Sequence, residues 1–288
     1  MGKFNTDDDN IIDLPDPRTR ERILGQLSGA APDADDALQQ AQELMYDSWE
    51  TPDPVERIEL AEQALEISPD CADAWVLLAE ETAESLEQAI EFYQKGLEAG
   101  ERALGAEMFA EDAGRFWGIL QTRPYMRARE GLANCLWEVK KYDDAINHYK
   151  AMLELNPVDN QGIRHILITC LMSTRQYAAA WELINKYEED FMAEWAYSRA
   201  LLSFIENGDN PESRQHRARA ITQNKHIPAY LSGRRKLPSI PYEYIQVGDK
   251  TEAVNFALEN REVWRAIPGA ISWLMKETDK KRRNRKRS

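Results

Sequence analysis

Few residues in this 288-residue chain have both the types and the spacing that catalysis or metal binding requires. The four histidines, His148, His165, His216 and His226, include no pair at the HExxH spacing of a zinc-binding helix. The three cysteines are far apart and form no CxxC motif. Neither a glycine-rich phosphate loop nor a GxSxG nucleophile turn occurs in the sequence. The sequence therefore predicts a protein that is not an enzyme and that holds no metal or cofactor.

Arginines in the segment TRPYMRAR could bind an anion, because guanidinium groups can fork onto carboxylate or phosphate oxygens. Arg123, Arg127 and Arg129 lie there at the start of a predicted helix, and Arg123 is a candidate contact for an anion or an acidic partner. The alternative role is structural. Positive charge at a helix N-terminus opposes the helix dipole, so these arginines need acidic neighbours, which Glu107, Glu111 or Asp112 of the insertion could supply. The structural role is the favoured interpretation.

A second basic cluster, GRRKLP, contains Arg234, Arg235 and Lys236. It could receive an acidic partner or phosphate groups, or it could neutralise part of an acidic surface. The sequence leaves both interpretations open.

The strongest basic run closes the chain as KKRRNRKRS. It comprises Lys280, Lys281, Arg282, Arg283, Arg285, Lys286 and Arg287. Such a run could contact nucleic acid weakly through phosphates, or it could be an extension that aids solubility. The chain has a net charge of −14, and the rest of it must be more acidic still, so it repels phosphate at long range. The tail is therefore predicted to be an appendage rather than the main functional site.

Helical hairpins are predicted to position these residues. In the stretch REGLANCLWEVKKYDDAINHYKAMLELNP, apolar residues recur at helical spacing on both sides of a short turn. Small residues at Ala133 and Ala145 would let the two helices approach closely, and Pro157 would end the second helix. The pattern returns in ILITCLMSTRQYAAAWELINKY and occurs earlier in ADAWVLLAEETAESLEQAIEFYQKGLEAG. Such recurring helix pairs are typical of tetratricopeptide repeats.

The predicted fold is an all-α, right-handed superhelical solenoid of tetratricopeptide-like repeats. Spacing between the repeats indicates an insertion, which should extend one helix and fold back over an edge of the solenoid. The expected organisation is an acidic, largely disordered leader over 1–33, repeats over 34–224 with the insertion at about 100–126, an irregular segment with capping helices over 225–276, and a basic disordered tail over 277–288.

Three parts of the chain together resemble the suppression-of-tumorigenicity-seven family and its bacterial tetratricopeptide relatives. They are the repeat ALEISPDCADAWVLLAEE with EQAIEFYQKGLEAGE, the insertion, and NKHIPAYLSGRRKLP with GDKTEAVNFALENREVWRAIPGAISWL. The resemblance runs from about Pro54 to Leu274 and implies a helical-repeat interaction protein without established catalytic activity. The eukaryotic branch carries hydrophobic N-terminal segments that this chain lacks. We therefore expect a soluble, cytoplasmic protein without membrane contact.

The first helices of stacked repeats line a concave groove that suits an extended segment or a partner helix. In this register the candidate groove residues are Arg127, Asn134, Trp137, His165 and Tyr197. An acidic chaperone tail is an unsuitable ligand, because Glu130 stands where the clamp of such domains needs a lysine. The alternative for the aromatic residues is that they pack on the insertion.

The predicted function is a non-catalytic protein–protein interaction scaffold that binds a segment of an unidentified protein partner in the concave groove. The alternative is an RNA- or ribosome-associated accessory protein that uses the basic C-terminal tail.

Overall fold

The computed structural model describes residues 18–28 and 36–276, and the chain divides into two compact units after Gln161. All regular secondary structure within these described ranges is helical.

Unit 1 consists of helical hairpins that follow a short helix. Its α-helices are α1 Thr19–Ser28, α2 Asp36–Glu50, α3 Pro54–Ile67, α4 Ala72–Glu81, α5 Leu86–Glu111, α6 Arg123–Glu138 and α7 Tyr142–Leu155. The hairpins are α2/α3, α4/α5 and α6/α7, and they stack because α3 packs on α4 and α5 packs on α6.

Local sequence explains where these helices begin and how closely they pack. The Asp53 carboxylate accepts a hydrogen bond from the Val55 amide at the start of α3, and the Ser85 hydroxyl accepts one at the start of α5. Ala133 and Ala145, the small residues predicted at the contact between α6 and α7, are fully buried. Gly100 of α5 lies equally close to α6: a Cβ there would stand 2.9 Å from the Cβ of Tyr125.

The segment predicted as an insertion, about 100–126, covers the end of α5, the connection to α6 and the first residues of α6. Helix α5 continues to Glu111 across a break at Gly105, where φ is 65°. Two short 3-10 turns, Phe116–Gly118 and Leu120–Thr122, then lead into α6. The Phe116 ring is fully buried and lies 5.1 Å from the ring of Phe109, so the segment is anchored on its own aromatic core.

The N-terminal region differs from the sequence-based expectation. Residues 19–28, within the range predicted as a largely disordered leader, form α1. This helix is short and polar, so it has no apolar periodicity by which the sequence could reveal it. Its stability depends on tertiary contacts, because isolated helices of about ten residues are marginal in water.

Unit 2 contains further hairpins and a C-terminal helical layer. Its α-helices are α8 Ile163–Ser173, α9 Tyr177–Lys186, α10 Ala193–Asn207, α11 Pro211–Gln223, α12 Ile227–Leu231 and α13 Lys250–Ala266, and residues 270–276 are also helical. Helix α8 pairs with α9 and α10 with α11, while α13 packs on α8, α10 and α12. Trp195, Trp264 and Trp273 are fully buried in this unit and fill its core.

A buried carboxylate joins three parts of unit 2. Glu252, near the start of α13, accepts hydrogen bonds from the Ala193 amide at 2.9 Å, the Asn224 side-chain amide at 2.9 Å and the Gly248 amide at 2.7 Å. It therefore caps the start of α10 and fixes the loop that precedes α13. Buried carboxylates need such donors to replace lost hydration.

These observations confirm the predicted all-α helical-repeat class. The hairpins form because short turns follow amphipathic segments with small residues at the helix contacts, as in tetratricopeptide repeats.

Candidate functional site

The first helices of the hairpins in unit 1, α2, α4 and α6, meet at Asp73. Its fully buried carboxylate accepts hydrogen bonds from Arg127 Nε at 2.8 Å, from Arg127 Nη2 at 2.6 Å and from Gln42 Nε2 at 2.9 Å. One carboxylate on α4 thus joins α2 and α6. The surface of unit 1 that α2, α4 and α6 present around Asp73 and Arg127 is called the first-helix face below.

A second carboxylate reaches this face from α1. Arg127 Nη1 donates to both oxygens of Glu21, at 2.9 and 3.0 Å, and Arg123 Nη1 donates to Glu21 Oε1 at 3.1 Å. The Glu21 side chain is buried. Its burial is tolerable because it is paired with guanidinium donors, since an unpaired buried charge is strongly destabilising.

Aromatic rings complete the surroundings of the arginines. The guanidinium groups of Arg18 and Arg127 both lie over the ring of Trp49, 4.8 and 5.4 Å from its centroid. The Arg123 guanidinium lies 5.1 Å from the ring of Trp117 and donates from Nε to the Trp117 carbonyl at 3.0 Å. Cations over aromatic faces gain about 0.5–2 kcal/mol, more where water is excluded.

The charge state of Arg127 is secure. Burial by itself would lower its pKa, but the charges and hydrogen bonds of Asp73 and Glu21 outweigh burial and raise that pKa above its ordinary value. Arg127 is therefore a permanent cation at the centre of the face.

The structure changes two sequence-based expectations about these arginines. The acidic partners of Arg123 and Arg127 are Glu21 and Asp73, rather than the insertion carboxylates, and Arg129 Nε donates to His148 Nδ1 at 3.3 Å. Arg127, predicted to line an open groove, is 12% exposed and held inside an ion-pair network. Sequence reasoning missed both carboxylates. Asp73 could have been noticed as a charge within the apolar stretch ADAWVLLA, whereas Glu21 carries no such signal.

The C-terminal half of α6 remains accessible. Asn134 lies two helical turns beyond Arg127, about 10 Å along the helix, and is exposed, although its Oδ1 accepts a hydrogen bond from the Tyr149 hydroxyl. Trp137 is half-buried and packs on Tyr142 of α7, with ring centroids 4.6 Å apart. These two predicted groove residues therefore present polar and aromatic surface on the same helix.

His165 of unit 2 lies between two carboxylates. Its Nδ1 is 3.1 Å from Glu194 Oε2 and its Nε2 is 3.4 Å from Asp190 Oδ2. The Asp190 carboxylate is buried and also accepts from Arg164 Nε at 2.7 Å. The imidazole is half-buried, so part of it can still contact a partner.

Tyr197, by contrast, does not line an accessible surface. It is fully buried, its hydroxyl donates to the Asn224 carbonyl at 2.7 Å, and its ring packs against Phe256 and Trp264 of α13. The prediction that Tyr197 binds a partner is wrong for this conformation. The physical reason is that α13 covers the α10 side chain that the repeat pattern alone leaves exposed.

The remaining basic candidates are peripheral. Arg234, Arg235 and Lys236 are exposed, and the Arg235 guanidinium lies 5.8 Å from the Tyr230 ring. The basic tail from Lys280 to Arg287 lies outside the described residues.

The described residues offer few groups suited to metal binding or to nucleophilic chemistry. No group of three or more histidine, cysteine or acidic side chains there could hold a metal ion. Burial raises the pKa of Cys71 and of Cys170 to about 12, so both thiols are protonated and unreactive at neutral pH. Within the described residues, no helix is long and apolar enough to cross a membrane.

Comparison with known proteins shows which family and which sequences this chain is similar to. The sequence model of a family described as ST7 protein matches residues 31–282. A suppressor of tumorigenicity 7 protein-like sequence from Bos taurus is 27% identical over 261 residues, which is 83% of this chain and 47% of that protein. A protein ST7 homolog from Drosophila melanogaster is 26% identical over 264 residues, which is 83% of this chain and 49% of that protein. The chain thus spans about half the length of these curated relatives.

One solved structure with a similar helical arrangement is that of YrrB, a TPR protein described as having an unusual peptide-binding site. The match has a TM-score of 0.45 and 16% sequence identity, and it covers 73% of this chain and 93% of YrrB.

Proposed function

The chain belongs to the ST7 protein family, and from that premise we propose that it is a non-catalytic protein–protein interaction scaffold. A partner segment binds on the first-helix face of unit 1, beside the accessible C-terminal half of α6. Helical repeats suit this role because their stacked first helices form a continuous surface.

One observation carries the proposal: the first-helix face holds a separate helix through charged side chains. Helix α1 is held there by Glu21, which pairs with Arg123 and Arg127 of α6. A face that is built to hold one helix by charge and hydrogen bonds has the chemistry of a segment-binding surface.

The accessible part of the same face supplies the groups that recognise a partner. Asn134 offers an amide, and Trp137 offers a large, half-buried aromatic surface on α6. Tryptophan is enriched among the few interface residues whose truncation costs about 2 kcal/mol or more.

Affinity purification from the native host, followed by mass spectrometry, tests the proposal. The wild-type chain is compared with the variant Asn134→Ala plus Trp137→Ala. A matched control carries Glu91→Ala plus Glu154→Ala, two exposed changes on the second helices α5 and α7. We expect at least one partner to be lost from the α6 variant and retained by the control, at unchanged melting temperature. Identical partner recovery from all three proteins contradicts the assignment.

A further inference from the structure

We infer that the part of the first-helix face around Arg123 and Arg127 is a binding site for a basic helix with the pattern R-x-x-E-R, and that α1 is an internal occupant which competes with such a partner. The inference rests on the proposed scaffold function and specifies its ligand class and its regulation.

Helix α1 shows the pattern directly. Arg18, immediately before α1, and Glu21 and Arg22 within it stand at positions i, i+3 and i+4, a spacing that places side chains on one side of a helix. Each of the three finds opposite charge on a different first helix. Arg18 pairs with α4, Glu21 with α6 and Arg22 with α2.

The face is complementary to this pattern in charge. Its acidic rim consists of Glu43, Asp47 and Glu50 on α2 and Glu80 on α4. Arg22 reaches the three α2 carboxylates at 3.0, 2.8 and 3.5 Å, and Arg18 reaches Glu80 at 3.1 Å. The centre of the face is cationic instead, because Arg123 and Arg127 lie there.

This alternation selects the ligand class. A purely acidic segment would pair with the central arginines but would be repelled by the rim, and a purely basic segment would leave the centre unmatched. A helix with one carboxylate between two arginines satisfies both. The sequence predicts an acidic partner at Arg123. The structure favours a partner helix that is basic except for one central acidic residue, which pairs with Arg123 and Arg127.

The described contacts of residues 18–25 with the first-helix face are mainly polar. Ile23 and Leu24, its largest apolar residues with described side chains, are 59% and 48% exposed. Its buried side chains over residues 18–25 are Thr19 and Glu21. The ion pairs of Arg18 and Arg22 with the acidic rim are partly exposed and weaken with salt, and no large apolar side chain over residues 18–25 is buried.

The site retains its shape without α1. Arg127 would keep both hydrogen bonds to Asp73, and Gln42 would still hold Asp73 from α2. Arg123 would keep the Trp117 carbonyl and ring. The donors that now bind Glu21 would then face the vacated surface in fixed positions, and such preorganisation favours binding of an incoming carboxylate.

Competition follows from chain connectivity. Only residues 29–35 separate α1 from α2, so α1 is present at the face at an effective concentration on the order of millimolar. A partner in trans must overcome this local concentration, and any change that releases α1 should raise the partner's apparent affinity.

The test uses the full chain and a defined probe, a labelled peptide with the sequence of residues 18–28. Binding is measured by fluorescence polarisation to the wild-type chain and to the Glu21→Lys variant, whose lysine is repelled by Arg123 and Arg127. We expect the variant to bind the probe at least about tenfold more tightly than wild type, because α1 no longer competes. Equal binding to the two chains overturns the inference.

Two controls identify the site. A probe that itself carries Glu21→Lys should not bind the variant chain, and adding Arg123→Ala to that chain should weaken binding of the unmodified probe. Should Glu21→Lys impair folding, as judged by circular dichroism, the variant Arg18→Ala plus Arg22→Ala loosens α1 while leaving the Arg127–Asp73 pair intact. It should also raise probe affinity, and no gain there would refute the inference.

Two further outcomes distinguish competition by a partner helix from exchange of α1 between two copies and from the scaffold function. A wild-type dimer that exchanges α1 between two copies, detected by light scattering, would contradict competition by a different partner. Probe binding depends on this chain alone, whereas the scaffold function depends on a native partner and on Asn134 and Trp137. Failure of either experiment therefore leaves the other intact.

Discussion

Substitution of Asp73 by alanine should destabilise unit 1 by about 3 kcal/mol. The change removes the buried carboxylate that pairs with Arg127 and also accepts from Gln42. Removal of one partner from a buried ion pair costs about 3–5 kcal/mol, because the remaining charge is left without compensation. Arg127 would keep Glu21 at 2.9 and 3.0 Å, so the lower end of that range applies.

A matched control lies three residues away. Asp70 pairs with Arg102 at 2.7 Å, but the two side chains are 35% and 54% exposed. Ion pairs at the surface contribute about 0–1 kcal/mol, so Asp70→Ala should be nearly neutral. The two variants delete the same side chain and an equally short ion pair, and they differ in burial.

Urea unfolding followed by far-UV circular dichroism and tryptophan fluorescence measures both variants. The midpoint of the unit 1 transition should fall for Asp73→Ala at an unchanged m-value, which separates lost stability from a change in the unfolded state. Asp73→Asn, which keeps an oxygen acceptor, should lose about 1–2 kcal/mol. If Asp73→Ala cost no more than Asp70→Ala, the reasoning that burial makes this pair essential would be refuted.

Three further predictions concern packing and protonation. Glu252→Ala should cost about 2–4 kcal/mol in urea unfolding, because two buried donors and one partly buried donor lose their acceptor, and Glu252→Gln should cost less. Gly100→Ala should destabilise the protein by about 1–3 kcal/mol, because a Cβ there would lie 3.1 Å from the Tyr125 Cα, and this crowding outweighs the helix preference of alanine. The control Gly118→Ala, whose Cβ would meet open space, should leave the unfolding free energy unchanged in the same measurement. The Glu259 side chain is exposed, but desolvation by the protein atoms around its carboxyl and the charge of Glu194 raise its pKa to about 7; the protonated form therefore stabilises the fold at low pH, and that contribution is lost progressively from about pH 4.5 and is gone above pH 7. The difference in unfolding free energy between wild type and Glu259→Gln should therefore fall between pH 5 and pH 8, and a constant difference would contradict the shift.

Much of the fold could be predicted because its signals are local. Apolar residues at helical spacing, alanines at helix contacts and a proline at the end of a pair mark hairpins such as α6/α7 without any knowledge of distant contacts. Ala133 and Ala145 illustrate this, since both were chosen from spacing alone and both are fully buried.

The candidate site was less predictable because it depends on contacts between distant segments. Arg127 was identified from its place on α6, but its partners come from 54 and 106 residues away. No local pattern connects Glu21 with Arg127, since a ten-residue polar helix gives no periodic signal and acquires order only by docking. Tyr197 shows the opposite error, because its repeat position predicts exposure while α13 covers it.

The sequence by itself determined that this chain folds into helical hairpins and belongs with tetratricopeptide-like proteins, because helix periodicity and small-residue contacts are properties of short segments. Only the tertiary structure decided which charged groups are available. It placed Asp73 and Glu21 against the arginines of α6, it buried Tyr197, and it left Asn134 exposed. Burial and charge pairing arise where separate segments meet, so they become visible only when the chain is folded.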